Sequence, residues 1–282
     1  MDGRARAPAA GTILNALATG YGSAFAVDRS VTAEVTLGGE TVRGRVADHP
    51  DADATLIERA VEAVLAEYGI EEGATVETDS EVPIAAGLKS SSAAANAAIL
   101  ATLSAIDEAE TLSREAAAKI GVQAAREAGV TITGAFDDAS ASMLGGVTIT
   151  DNTADDLLHR EPVDWAVAIW VPPEQAFSAA ADVERCERIA PVAGVVKDLA
   201  DEGAYHQAMT INGFAFAAAL ERPAEPMIEA LPAADGVSLS GTGPSYVAVG
   251  EPEAVDAVRD RWAERPGQTM RTTTQNAGAS VR

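Results

Sequence analysis

In Pro83-Ile84-Ala85-Ala86-Gly87-Leu88-Lys89-Ser90-Ser91-Ser92-Ala93, small residues and one glycine make a tight turn, and three serines lead into an alanine-rich run. A helix start presents unpaired N–H groups and about half a positive charge, so small residues ahead of it let the backbone close on an anion such as phosphate. The hydroxyls of Ser90, Ser91 and Ser92 can bond phosphate or ligate Mg²⁺, and Lys89 adds a cation. Plain helix capping is the competing use of such serines, and an isolated Ser-Ser-Ser-Ala favours it. A Walker A loop is excluded: it needs glycine and lysine adjacent before Ser or Thr, and Leu88 separates Gly87 from Lys89. Further along, Asp137 and Asp138 follow Gly134-Ala135-Phe136 and precede Gly145-Gly146. A carboxylate can receive or orient the proton of an attacking alcohol, and phosphoryl transfer needs mainly positioning and charge stabilisation. A solvated turn is the other reading of paired acids in an acidic chain. Ser240-Gly241-Thr242-Gly243-Pro244-Ser245 lies between two strand-like runs and alone reads as a hairpin turn.

These segments need a scaffold. Residues 25–27 and 31–37 read as strands, Gly38-Gly39 as a hairpin turn, and residues 41–46 as the returning strand. Residues 52–68 space Leu56, Ala60, Val61, Val64 and Leu65 at helical intervals, Gly69 closes the helix, and 75–78 resembles a strand. Residues 93–106 and 114–128 read as an antiparallel helix pair with Thr111 or Ser113 as cap. Strand candidates at 147–150 and 163–171 are separated by the polar turn 151–156. Residues 179–220 are helical by pattern, interrupted near Pro191 and Gly203, and one more short helix follows. Residues 236–239 and 246–249 return to strand, 252–262 is a last helix and 270–274 a final strand. This order implies an α+β chain in two lobes with a cleft between them, divided near residues 151–162, which gives 1–155 and 156–282.

Composition narrows the partners. The chain's 282 residues, 47% of them hydrophobic, can bury one large core or two modest lobes. No apolar run approaches the roughly 20 residues of a membrane span, and residues 1–10 carry arginines without a signal-peptide core. A cytoplasmic protein with no membrane partner is expected. Cys186 is the single cysteine, which rules out an internal disulfide or a cysteine-based metal cluster. Acidic residues number 43 against 20 basic, a formal charge of −23, and lysine occurs only as Lys89, Lys119 and Lys197. Nucleic acid is a poor partner for such a surface. The spread of charge along the chain reads as the hydrated surface of a halophilic protein, working where screening shortens the Debye length to about 3 Å at 1 M salt. An ordinary acidic protein at moderate salt is the alternative.

In their order along the chain, the three segments resemble the motifs of the GHMP kinases. Pro83, Gly87, Leu88, Ser90 and Ser91 fit the family's second motif, Pro-x-x-x-Gly-Leu-x-Ser-Ser-Ala, which wraps the ATP phosphates; Ser92 stands where alanine is common. The resemblance implies ATP binding along Pro83, Ile84, Ala85, Ala86, Gly87, Leu88, Lys89, Ser90, Ser91, Ser92 and Ala93. It implies Asp137 as the catalytic carboxylate with Asp138 beside it, and Ser90 with Glu127 as holders of Mg²⁺. Ser240, Gly241, Thr242 and Gly243 resemble the third motif, a glycine-containing loop near the catalytic centre, with Pro244 and Ser245 departing from the family pattern.

Ala7-Pro8-Ala9-Ala10-Gly11-Thr12-Ile13-Leu14-Asn15 is similar to the first motif, with Ala10 where some members place a lysine that assists the aspartate. Gly11-Thr12-Ile13-Leu14-Asn15-Ala16, the run from Thr19-Gly20-Tyr21-Gly22 to Asp28, Ser90-Ser91-Ser92 and Phe136-Asp137-Asp138 resemble the archaeal shikimate kinase branch, and the likeness spans essentially the whole chain. It implies the two-lobed GHMP fold with the active site in the cleft, and transfer of the γ-phosphoryl of ATP to the 3-hydroxyl of shikimate in aromatic amino-acid synthesis. The acceptor's carboxylate calls for a cation. Thr12, Asn15 and Thr19 are polar positions able to face the acceptor, and ordinary turn and cap roles are the alternative for them. Homoserine or a mevalonate-type alcohol is the alternative acceptor on the same fold. A nucleotide-binding protein without turnover is the alternative of another class.

Overall fold

A computed structural model describes residues 1–47, 49–174 and 181–282. β1 (Asp2–Leu14) and β2 (Tyr21–Leu37) are long antiparallel strands joined by a 3-10 turn at Ala16–Ala18. Both strands exceed the usual five or six residues because β1 is buried along most of its length and β2 has two partners. Val31 to Leu37 pair with β4 (Ala74–Ser80), while Tyr21 to Phe25 pair with β5 (Val147–Asp151). β3 (Arg43–Val46) flanks β4, β6 (Asp156–Glu161) flanks β5, and the C-terminal β11 (Ser280–Val281) flanks β1, completing a seven-stranded sheet.

The hairpin expected at Gly38-Gly39 does not form. β4 takes the place beside β2, and β3 runs parallel to β4 on its far side. The Gly38 N–H donates to the Gly73 carbonyl and the Gly73 N–H to the Gly39 carbonyl, while a Cβ on Gly73 would lie 2.4 Å from the Thr41 carbonyl oxygen. The chain therefore crosses over Gly73, a passage only a residue without a side chain allows.

α1 (Thr55–Glu67), α2 (Ser90–Ala105), α3 (Arg114–Glu127) and α4 (Phe136–Leu144) share one core with Ala5, Ala7, Val31, Ala33, Val35 and Val76 of this sheet. Ser113 caps α3 by accepting from the Ala116 N–H at 3.2 Å. α2 is buried almost all round, and its alanines keep it helical while letting it lie close to the strands.

The second sheet is four-stranded and antiparallel, in the order β10 (Gln268–Thr273), β7 (Ala166–Val171), β9 (Tyr246–Gly250), β8 (Gly236–Leu239). α5 (Val183–Glu187), α6 (Ala190–Asp201), α7 (Tyr205–Ala219), α8 (Glu225–Ala230) and α9 (Pro252–Trp262) accompany it. Pro191 opens the first turn of α6, where its missing N–H costs nothing. Of the helical stretch expected over 179–220, Ala179 and Ala180 lie outside the described residues.

The division expected between Asp155 and Asp156 falls in the turn joining β5 to β6, two strands of the first sheet, and the chain reaches the second sheet through residues 162–165. At that passage the Tyr205 hydroxyl donates to Glu161 Oε2 at 2.8 Å, and Trp165 meets Phe25 edge-on at 5.5 Å. No helix among the described residues is long and apolar enough to cross a membrane.

Candidate active site

A cavity of about 990 Å³ runs along the start of α2 and the start of α4, and Gly241 and Thr242 reach into it from the loop between β8 and β9. Ile84, Ala85, Gly87, Lys89, Ser90, Ser91 and Ser92 line it. Ala86, Leu88 and Ala93 are instead buried, and Pro83 and Ala86 border a separate small hollow. The loop thus anchors itself with alternate apolar side chains and turns the rest toward the opening.

Its serines do not act as the cap. α2 begins at Ser90 with Lys89 at the N-cap position, left-handed at φ 62°, and no side chain caps the helix. Ser90, Ser91 and Ser92 occupy the first turn, so its N–H groups are left for a ligand, and the helix dipole favours an anion there.

The neighbouring segments hold the loop in shape. Gly87 sits at φ 80°, and a Cβ on it would lie 2.3 Å from the Ser240 carbonyl oxygen and 2.9 Å from that of Gly243. Ser240 Oγ donates to the Gly87 carbonyl at 2.8 Å, the Ser245 N–H to Ala86 at 3.2 Å, and the Ala10 N–H to Leu88 at 3.1 Å.

Opposite the loop, α4 carries the acidic pair in its first turn. Asp137 is 5% exposed and packs directly over Gly22 of β2. Asn152 Nδ2 donates to Asp137 Oδ1 at 2.7 Å, and Asn152 Oδ1 accepts from the Asp137 N–H at 3.1 Å. Lys89 Nζ pairs with Asp138 Oδ1 at 2.9 Å, with side chains only 7% and 16% exposed. Burial first, and then the charge of Asp138, push the Asp137 carboxyl up to about 7, against the opposing pull of Lys89 and the Asn152 hydrogen bond. A carboxylate that ionises near neutrality within a polar-edged cavity, facing an open helix start, is equipped to handle a proton beside a bound phosphate.

Comparison with known proteins shows the family. The family model described as GHMP kinases N terminal domain matches residues 55–146, and the one described as GHMP kinases C terminal matches residues 195–268. A protein of Halobacterium salinarum named shikimate kinase is 59% identical over 281 residues, covering 99% of both chains. The chain belongs to the GHMP kinases. A shikimate kinase of Methanosarcina mazei is 46% identical, over 99% of this chain and 96% of its own. Among solved structures, homoserine kinase from Cytophaga hutchinsonii superposes with a TM-score of 0.79 at 18% identity, covering 100% of this chain and 97% of that one. Methanococcus jannaschii mevalonate kinase gives 0.78 at 15%, covering 97% and 98%. These two share the fold.

Within this GHMP kinase the other expected positions separate. Asn15 lines the cavity, but its side chain is already engaged: Nδ2 donates to the Gly241 carbonyl at 2.9 Å and Oδ1 accepts from the Leu17 N–H at 3.0 Å. Thr12 Oγ1 accepts from the Gly241 N–H at 2.7 Å, and Thr19 Oγ1 from the Tyr21 N–H at 3.4 Å; neither is among the lining residues. Thr12 and Asn15 brace the third-motif loop.

Glu127 is exposed, accepts from Gln123 Nε2 at 2.8 Å and is not among the lining residues, so it does not face the serines. No three His, Cys, Asp or Glu residues among those described could hold a metal by themselves. Mg²⁺ in kinases needs few protein oxygens, because phosphates and waters complete its shell, and the Ser90 hydroxyl at the helix start fits that demand. Among the described residues no arginine lines the cavity; its cationic side chain is Lys89, and His49 is its one lining histidine.

Asn152 escaped the sequence reading. It sits in a polar turn 15 residues beyond the aspartate it holds, and nothing local marks it.

Proposed function

We propose that the chain transfers the γ-phosphoryl group of ATP to the 3-hydroxyl of shikimate, giving shikimate 3-phosphate and ADP. One observation carries the reaction class: the uncapped first turn of α2 and the Asp137–Asp138 pair share one cavity. The full-length likeness to proteins named shikimate kinase supports the acceptor, over the homoserine and mevalonate kinases that share only the fold.

On this reading, the backbone of residues 84–92 cradles the triphosphate, and Lys89, steadied by Asp138, offsets part of its charge. The acceptor oxygen bonds to the γ-phosphorus, the bond to the β–γ bridging oxygen breaks, and ADP leaves with its electron pair. Asp137 receives or orients the acceptor's proton. Mg²⁺, when bound, neutralises charge on the β- and γ-phosphates, and Ser90 is the side chain that would hold it. The acidic surface supports a working place in a high-salt cytoplasm.

A second reading gives the proton to Asp138, because it lines the same cavity and is the more exposed of the pair beside a cation. Purified protein assayed with ATP and Mg²⁺ against shikimate, homoserine and mevalonate tests the acceptor: shikimate should have the highest kcat/KM, and preference for either of the others contradicts the assignment. Asp137→Asn should keep nucleotide binding and lose about 10²-fold or more in kcat. Full turnover in that variant, with loss confined to Asp138→Asn, favours the second reading.

A further inference from the structure

Next to the acidic pair lies a buried polar chain to which the reaction as described gives no part. Asn152 is 2% exposed and is not among the residues lining the cavity. Its Oδ1 accepts from the Asp137 N–H at 3.1 Å and from Thr150 Oγ1 at 2.7 Å, while its Nδ2 donates to Asp137 Oδ1 at 2.7 Å. A backbone N–H can only donate, so the atom facing it is the amide oxygen, and the NH₂ group must face the carboxylate.

Asn152 thereby fills two vacancies. Ala135, at the N-cap position of α4, has no side-chain acceptor, and Asn152 supplies one from another element. It also grips the carboxylate one residue into that helix. Its own backbone is held at both ends: its N–H donates to the Gly20 carbonyl at 2.9 Å, and its carbonyl accepts from Arg126 at 3.4 Å. That guanidinium is in turn fixed by Asp155 at 2.6 and 2.8 Å.

We propose that Asn152 is a positioning residue of the transfer reaction, whose amide aims the Asp137 carboxylate and favours its ionised form. Among the described residues around Asp137, Asn152 is the side chain that donates a hydrogen bond to its carboxylate. β2 presents only Gly22, and β5 presents the Thr148 hydroxyl, which is bonded to the Asp137 carbonyl. The charged neighbours are Asp138 on α4, which favours the protonated acid, and Lys89 ahead of α2, which pairs with Asp138 and also favours the carboxylate, as does the Asp138 backbone N–H. A hydrogen bond donated to a carboxylate favours its ionised form.

The inference rests on Asp137 as the reacting carboxylate, and the experiment separates the two. Asn152→Leu removes both bonds. Asn152→Asp is isosteric and keeps an acceptor for the Asp137 N–H, but replaces the donor with a like charge. In kcat/KM profiles from pH 5 to 9, the acidic limb of both variants should move up by about one pH unit or more. Activity at pH 7 should fall at least about tenfold and recover in part at pH 9, with ATP affinity within about threefold of the parent. A merely structural role would lower the whole profile without moving the limb. An unmoved limb in Asn152→Asp, with Asp137→Asn inactive, overturns the inference alone; if Asn152→Leu does not fold, Asn152→Asp decides. Parent-level turnover in Asp137→Asn overturns the underlying reading as well.

Discussion

Replacing Gly22 with alanine tests the placement of the acid without altering its chemistry. Gly22 lies in the regular pairing of β2 with β5, opposite Thr150, and has no left-handed backbone, so alanine adds no strain of its own. The added Cβ would come within 2.6 Å of Asp137 Cβ, Cγ and Oδ2, whereas ordinary contact begins at 3.4 Å, so the carboxylate must retreat by roughly 0.8 Å. Such a retreat disturbs the 2.7 Å bond from Asn152, since that side chain is itself tied to Thr150. A misplacement of about 1 Å at a reacting group costs on the order of 10²-fold in rate. We expect kcat with shikimate to fall by about that factor, read by ADP release. ATP affinity, read by calorimetry, should stay within about threefold, because the three atoms nearest the added Cβ all belong to Asp137. A kcat within twofold of the parent would mean that the Asp137 carboxylate is free to shift or takes no part.

The pH dependence follows from the same carboxyl. It must be ionised to accept a proton, so kcat/KM should rise through an acidic limb near pH 7 and level off above it; a limb near the ordinary carboxylate value of 3.8 would contradict the burial argument. Because the folded chain holds this proton more tightly than the unfolded chain, its contribution to stability is most favourable below 3.8 and declines as the pH climbs to about 7, which denaturation at pH 4 and pH 7 in an Asp137→Asn pair would measure. Gly87→Ala combines a left-handed backbone with a Cβ 2.3 Å from the Ser240 carbonyl, and should raise KM for ATP at least about tenfold with a visible loss of thermal stability. With a formal charge of −23, activity and thermal midpoint should both increase from 0.1 M toward roughly molar KCl, and a protein fully stable at low salt would point to the ordinary acidic reading.

Much of the scaffold was legible where periodicity was strong. The helix over Pro252–Trp262, the strand at Gly236–Leu239 and the Ser113 cap all follow from local pattern. β1 was not legible: its buried positions up to Gly11 are alanine, glycine and one proline, and from Ala7 onward buried residues follow one another on both faces, so no alternation of large apolar residues announces a strand. β6 was hidden for the opposite reason, being polar and exposed along an edge. The hairpin at Gly38-Gly39 failed because strand order is a long-range property, decided by the crossing at Gly73.

The cavity's walls split in the same way. The glycine–serine loop and Asp137 stood out as candidates by residue type and order, since small residues, serines and a paired acid are local signals, and both line the cavity. Asn152, Gly22 and the Lys89–Asp138 pair required the fold, because each contact joins segments far apart in the chain. Thr12 and Asn15 were visible as polar positions, but only the structure gives their contacts to Gly241.

A structure of the protein bound to a non-hydrolysable ATP analogue, Mg²⁺ and shikimate would show where the phosphates and the acceptor hydroxyl sit. The β- and γ-phosphates should lie against the backbone N–H groups of Ser90, Ser91 and Ser92, with the 3-hydroxyl of shikimate within hydrogen-bond reach of the Asp137 carboxylate. Phosphates seated away from the start of α2, or an acceptor hydroxyl beyond the reach of Asp137, would contradict the proposed transfer.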